Sequence, residues 1–183
     1  MSDYDFLWDG SLSNDEIIEA ASSGATRDEW QYIDENEYMM ESTDKPYSDT
    51  FLFIDAENIG SSKFTKIYKE LKKIGLNSTV RVYSLQKDSR LKNWHKTARK
   101  YSLEDIRLYG KRVKNMCDNK IIKDILKKLG SCKQVKNICI ASSDSDFCSV
   151  LKEAGIKGIK TFVFGEKNTS KKLRSSCNRF IEV

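Results

Sequence analysis

From Phe51 onward the apolar positions switch regularly between a short continuous run and a helical spacing. FLFID at residues 51–55 is an apolar run that predicts a buried strand. Phe64, Ile67, Tyr68, Leu71 and Ile74 then recur at helical spacing, with Gly75 as the expected cap. A strand follows around Val80 to Tyr83, then a helix carrying Leu91, Trp94, Ala98 and Tyr101, and a strand near Ile106 to Tyr109. Ile121, Ile122, Ile125 and Leu129 mark one face of the next helix, and NICIASS from 137 is another apolar strand. Phe147, Val150, Leu151 and Ala154 give a helix expected to end at Gly155, after which come the strand TFVFG, a short helix around Leu173, and a last strand, FIEV. This β-α-β-α order predicts an α/β fold: a three-layer sandwich with a central, mainly parallel sheet covered on both faces.

Residues 1–49 break the pattern. Two capping boxes, Ser13 to Glu16 and Thr26 to Glu29, precede stretches that could be helical, but Ile17, Ile18, Trp30, Ile33, Tyr38, Met39 and Met40 are sparse among carboxylates. The segment reads as an acidic, partly helical or disordered extension set off by Pro46, the only proline, from a folded domain at 50–183. Charge sharpens the division. The first 50 residues hold 14 acidic and 2 basic side chains and the other 133 hold 13 and 30, so a net −12 adjoins a net +17 within the formal +5. A polyanion is the expected ligand of the basic part, and the acidic part is expected to fold back on it, to recruit a protein partner through Trp30 and Ile33, or to act as a solubilising tail.

No apolar run is long enough to cross a bilayer, and the acidic start lacks the pattern of a secretory signal. The five cysteines form no CxxC pair and His95 is the only histidine, which argues against zinc and for reduced structural thiols in a reducing, cytoplasmic setting.

The chemistry concentrates where strands end. Asp55 interrupts an apolar strand at its exit, and Asp144 and Asp146 directly follow ICIASS. In a parallel sheet all three fall on the carboxyl edge of the strands, the usual ligand site of such folds. Carboxylates crowded there repel one another unless a cation joins them, and hard oxygen ligands suit Mg²⁺ or Mn²⁺. Asp118 and Asp124 cannot both face that edge, because six helical residues leave them about 120° apart. Asp118 shares the side of Ile121, Ile122 and Ile125 and is the inward one; Asp124 is expected at solvent or at an edge, as are the lysines Lys120, Lys123 and Lys127. Capping alone would account for SSDSDF, but not for Asp55.

Lys111, Arg112 and Lys114 precede Asp118 in an expected loop, and Lys167, Lys171, Lys172 and Arg174 follow the exit of the strand ending at Gly165. Trp94 and Tyr101 fit core packing better than base stacking, and His95 is a weaker stacking candidate.

FIDAEN with Asp55 and Asn58, Asp118 with Asp124 six residues on, SSDSDF, and the closing KKLRSSCNRFIEV together resemble the NYN domain of the PIN-like nuclease superfamily over about residues 50–183. That resemblance implies a Rossmann-like fold, divalent-metal-dependent endonuclease activity and RNA, single-stranded or structured, as substrate. It implies Asp55, Asp118, Asp144 and Asp146 as catalytic and metal-binding residues, holding Mg²⁺ or Mn²⁺. Asn58, Lys111, Arg112, Lys114, Ser143, Asn168, Ser170 and Lys171 are the candidate substrate contacts, while Glu57 is expected to point away. The chain departs from the family pattern at Asn178, where an aspartate is usual, and at Asn115, where a lysine is. Two other readings stand beside this one: a noncatalytic RNA-binding regulator with the same fold, and a haloacid-dehalogenase-type phosphatase, whose second aspartate would fall on Glu57.

Overall fold

The computed structural model describes residues 48–75, 78–85, 91–109, 115–131 and 134–183. Residues 1–47, with the capping boxes, Trp30 and Ile33, lie outside the described residues, as do Lys111, Arg112, Lys114 and Cys132.

Six strands form one sheet: β1 (Thr50–Asp55), β2 (Ser78–Leu85), β3 (Glu104–Leu108), β4 (Asn137–Ala141), β5 (Lys160–Gly165) and β6 (Arg179–Glu182), in the order β3-β2-β1-β4-β5-β6. Every pairing is parallel. The helices between them are α1 (Phe64–Ile74), α2 (Lys92–Tyr101), α3 (Met116–Ser131), α4 (Cys148–Ile156) and the single turn α5 (Lys171–Arg174). Strand order reverses between β1 and β4, so Asp55 and the residues after Ala141 leave the sheet side by side.

Alternation along β1 fixes which layer each side chain meets. Leu52 and Ile54 join a buried cluster with Phe64, Ile67 and Leu71 of α1, Leu91, and Trp94 of α2. Phe51 and Phe53 point the other way, toward the layer of α3 with its buried Ile121 and Ile125. Asp55 shares their parity, so it emerges on the α3 side, where Asp118 lies in that helix's first turn.

Core packing claims Trp94, as expected. It is buried, meets Phe64 edge-on at 5.9 Å, and donates from Nε1 to the Ile59 carbonyl at 2.7 Å, so its one polar group is satisfied. Among the described residues the cysteines are free thiols, and Cys117, Cys139 and Cys148 are buried. No helix among the described residues is long and apolar enough to cross a membrane.

Gly75 caps α1 as expected, its amide donating to the Leu71 carbonyl at 3.1 Å, but its backbone is extended (φ −156°); a Cβ there would collide with Thr50 Oγ1, so close approach to β1 is what requires glycine. Gly155 does not end α4, which runs on to Ile156. β3 also begins two residues earlier than its apolar core suggests, because Glu104 pairs with Arg81 of β2 at 2.6 Å.

Candidate functional site

Asp55 is 1% exposed and is held by three donors. Asn58 Nδ2 and Ser142 Oγ (3.0 Å) donate to Oδ2, and the Glu57 amide donates to Oδ1 at 3.1 Å. Burial pushes its carboxyl above the ordinary range, and these hydrogen bonds pull it partly back. The turn after the strand makes this possible: the Asn58 and Ile59 amides donate to the Asp55 carbonyl, folding FIDAEN back on itself.

Ser142 links the two strand exits. Its hydroxyl donates to Asp55 and accepts from the Asp144 amide at 3.1 Å, and Asp144 in turn accepts from the Asp146 amide at 2.9 Å, capping the 3-10 turn Ser145–Phe147. The chain therefore turns so that Asp144 and Asp146 face Asp118. One carboxylate oxygen from each of these three lies within 4.8 Å of the others. Asn115, in a left-handed conformation (φ 61°) just before α3, donates from Nδ2 to Asp146 at 3.1 Å. The position where a lysine was expected thus supplies a neutral donor to the cluster.

The electrostatics follow from that crowding. Asp118 is half-buried, and its pKa is raised to about 7, first by burial and then by the negative charges of Asp55, Asp144, Asp146 and Glu57. Its place in the first turn of α3 favours the anion, yet this is outweighed. Glu57, expected on the opposite side, is exposed but contributes to the same field, so it belongs to the acidic edge.

Asp124 corrects the expectation of a solvent or edge charge. It is 4% exposed, accepts from Tyr83 Oη at 2.7 Å, and pairs with Lys120 at 3.1 Å and Arg81 at 3.6 Å. Lys120, expected on a solvated face, is buried in that network. The i,i+4 spacing turns both inward, against β2, a geometry that a helix-face count from the isoleucines alone does not reveal.

The expected substrate contacts separate. Ser143 meets Thr169 Oγ1 at 2.8 Å and accepts from the Glu166 amide, which ties the β5 exit loop to the β4 exit. Ser170 caps α5 through the Leu173 amide. Gly165 permits this tie, since a Cβ would lie 2.5 Å from Thr169 Oγ1. Arg174 is committed to the same loop, donating to the carbonyls of Glu166, Lys167 and Thr169 and stacking on Phe180. Asn58, Asn168 and Lys171 are exposed, and Asn168 lines an open groove of about 420 Å³ with Lys63, Lys167 and Glu182. Asn178 is structural: its Oδ1 accepts from the Thr161 amide (2.7 Å) and hydroxyl (3.0 Å), at the start of β5 and so at the sheet edge away from the aspartates. Ser142 and Thr169 were not anticipated. Alternation after the buried β4 exit could have shown that Ser142, and not Ser143, turns toward Asp55.

The cluster fits a hard divalent cation. Its donors are all carboxylate oxygens, and the repulsion that burdens Asp118 is what a cation would relieve.

Comparison with known proteins agrees with this architecture. The chain is similar in fold to the crystal structure of a protein of unknown function from Vibrio parahaemolyticus, with a TM-score of 0.56 and 15% identity over 77% of this chain and 96% of that one. No curated protein matches it. The sequence profile of the NYN domain matches residues 49–183, almost the whole described region. With the parallel sheet and its acidic edge, this establishes that the chain belongs to the NYN domain family, whose members generally have a PIN-like nuclease fold.

Proposed function

We propose that the protein is a divalent-metal-dependent endoribonuclease that hydrolyses RNA phosphodiester bonds at the carboxyl edge of the sheet. The observation that carries this reading is the convergence of Asp118, Asp144 and Asp146 within 4.8 Å, beside the buried carboxyl of Asp55. Asp118, Asp144 and Asp146 would hold Mg²⁺ or Mn²⁺. When bound, such an ion supplies Lewis-acid polarisation of a phosphodiester and a means of activating water near neutral pH. Asp55, expected as a fourth ligand, is not among the three carboxylates whose oxygens converge; its buried carboxyl, oriented by Asn58 and Ser142, would act beside them. Asn115 orients Asp146 in the same way. Asn168 and Lys171, exposed on the β5 exit loop and α5, would contact the phosphate backbone, and Lys111, Arg112 and Lys114 would do so from the segment before α3.

The test is cleavage of single-stranded and structured RNA with Mn²⁺, Mg²⁺ or EDTA, by wild type and by Asp144→Asn. Metal-dependent cleavage lost in the variant is expected. Equal cleavage by both proteins removes the site assignment, and RNA binding without cleavage in any metal favours a noncatalytic regulator.

A further inference from the structure

We propose that α1 and α2 together form a second RNA-binding face, separate from the acidic edge, which holds the strand that flanks the cleaved bond. The identity of the polyanion rests on the ribonuclease reading; the face itself rests on the following geometry.

The two helices carry eight cationic side chains against one carboxylate, Glu70, which is bound to Lys73 at 2.6 Å. Phe64, Ile67 and Leu71 of α1 and Trp94 and Ala98 of α2 face the core. Helical spacing therefore places Lys66 and Lys69 of α1, and Lys92, Lys96 and Arg99 of α2, outward in one exposed layer. These cations stand three or four residues apart, so they repel by a few tenths of a kcal/mol per pair, where interspersed carboxylates would have stabilised each helix instead. A tolerated repulsion of one sign along both helices fits a surface completed by a polyanion.

A second feature favours nucleic acid over an acidic peptide. Tyr68 and Tyr101, both half-buried, meet at 5.8 Å in the seam between the helices, with Lys72 over the first ring at 4.9 Å and Lys100 over the second at 5.3 Å. Both rings also pack against Phe64, at 5.6 and 4.9 Å, so Tyr101 serves the core as expected, and an unpaired base reaching the seam would meet only their exposed parts beside the two lysines. The two helices are nonetheless tethered to the acidic edge: α1 follows the FIDAEN turn through Ser61–Lys63, and Trp94 of α2 is hydrogen-bonded to Ile59 just after that turn.

The experiment measures affinity of the full chain for a fluorescent single-stranded RNA in EDTA across about 50–200 mM salt. It compares wild type with the fourfold variant Lys66→Gln, Lys69→Gln, Lys96→Gln, Arg99→Gln, and with a control removing as many exposed cations elsewhere: Lys123→Gln, Lys152→Gln, Lys157→Gln, Lys160→Gln. All eight positions are exposed, so the folded state is expected to persist, as a circular-dichroism melt will show. The α1/α2 variant is expected to bind at least about tenfold more weakly, with a log–log salt slope shallower by about 3 at roughly 0.7 per lost phosphate contact, while the control keeps the wild-type slope. Three results overturn the proposal: no metal-free RNA binding by wild type, an equal loss in the control, or displacement of RNA by polyglutamate at equal charge, which would make an acidic peptide the better occupant. Because binding is read without metal, a protein that binds in this way yet never cleaves refutes the nuclease reading and leaves the face standing.

Discussion

Replacing Asp118 by asparagine should stabilise the metal-free protein, and only above acidic pH. Asp118 carries a pKa of about 7 against an ordinary 3.8, because burial and the charges of Asp55, Asp144 and Asp146 oppose its ionisation. For a carboxyl raised in this way the folded state keeps a proton that the unfolded chain has released. Stability is therefore lost as pH rises from about 4 to about 7, and the full penalty persists above that window. At about 1.4 kcal/mol per pKa unit the ceiling is roughly 4 kcal/mol. Asp118 is only half-buried, so solvent screening reduces the usable figure to about 1–2 kcal/mol. The asparagine variant escapes the penalty because its amide does not ionise. Thermal melts in EDTA should show the variant melting about 3–6 °C above wild type at pH 8, with the gap closing by pH 4. Saturating Mn²⁺ should reverse the order, since a ligand at a hundred times its Kd adds about 2.7 kcal/mol to the protein that binds it. A gap of constant size across pH, or a wild type that is the more stable without metal, would refute the proposed repulsion.

Further outcomes follow from the groups around the cluster. Asn115→Gly keeps the left-handed backbone and removes only the donor to Asp146, so Mn²⁺ affinity, read by paramagnetic resonance titration, should fall about 10–100-fold with little change in melting. Tyr83→Phe leaves the buried Asp124 short of a donor and should cost about 1–3 kcal/mol in urea denaturation. Asp124→Asn disrupts the pairs with Lys120 and Arg81 and should cost about 3–5 kcal/mol. The two remaining substitutions should have opposite signs. Gly165→Ala forces a Cβ against Thr169 and Phe180 and should destabilise by about 1–3 kcal/mol. Gly155→Ala, in open space within α4, should stabilise by about 0.5–1 kcal/mol.

Much of the fold was legible because parallel strands are buried on both faces and write themselves as apolar runs: β1, β4 and β5 match FLFID, NICIA and TFVFG. β3 was harder to bound, since Glu104 and Asp105 begin a strand that is polar at its start. The acidic edge was legible for the same reason as the strands, an aspartate at the end of an apolar run. The hidden part was long-range pairing. Asp124 and Lys120 look like surface charges on α3, and only the positions of Tyr83 and Arg81 on β2, about 40 residues earlier, give them a buried partner set. Asn178 likewise could be placed only once Thr161 was beside it.

The domain combines two charges that oppose one another in its proposed task. Its helical face is basic, whereas at the edge where a phosphodiester would be cleaved burial, and after it the charges of Asp55, Asp144 and Asp146, raise the pKa of Asp118 to about 7. A phosphate backbone is attracted to the first and repelled by the second, so affinity and cleavage have different electrostatic requirements. The cations of α1 and α2 need no metal to attract a polyanion. The aspartate edge admits a phosphate only once its charge is neutralised. Binding should therefore be metal-independent and salt-sensitive, while cleavage should be metal-dependent. The substitution at Asn115 sharpens that separation, because a lysine there would have offset part of the negative charge, whereas the amide orients Asp146 and leaves the charge in place.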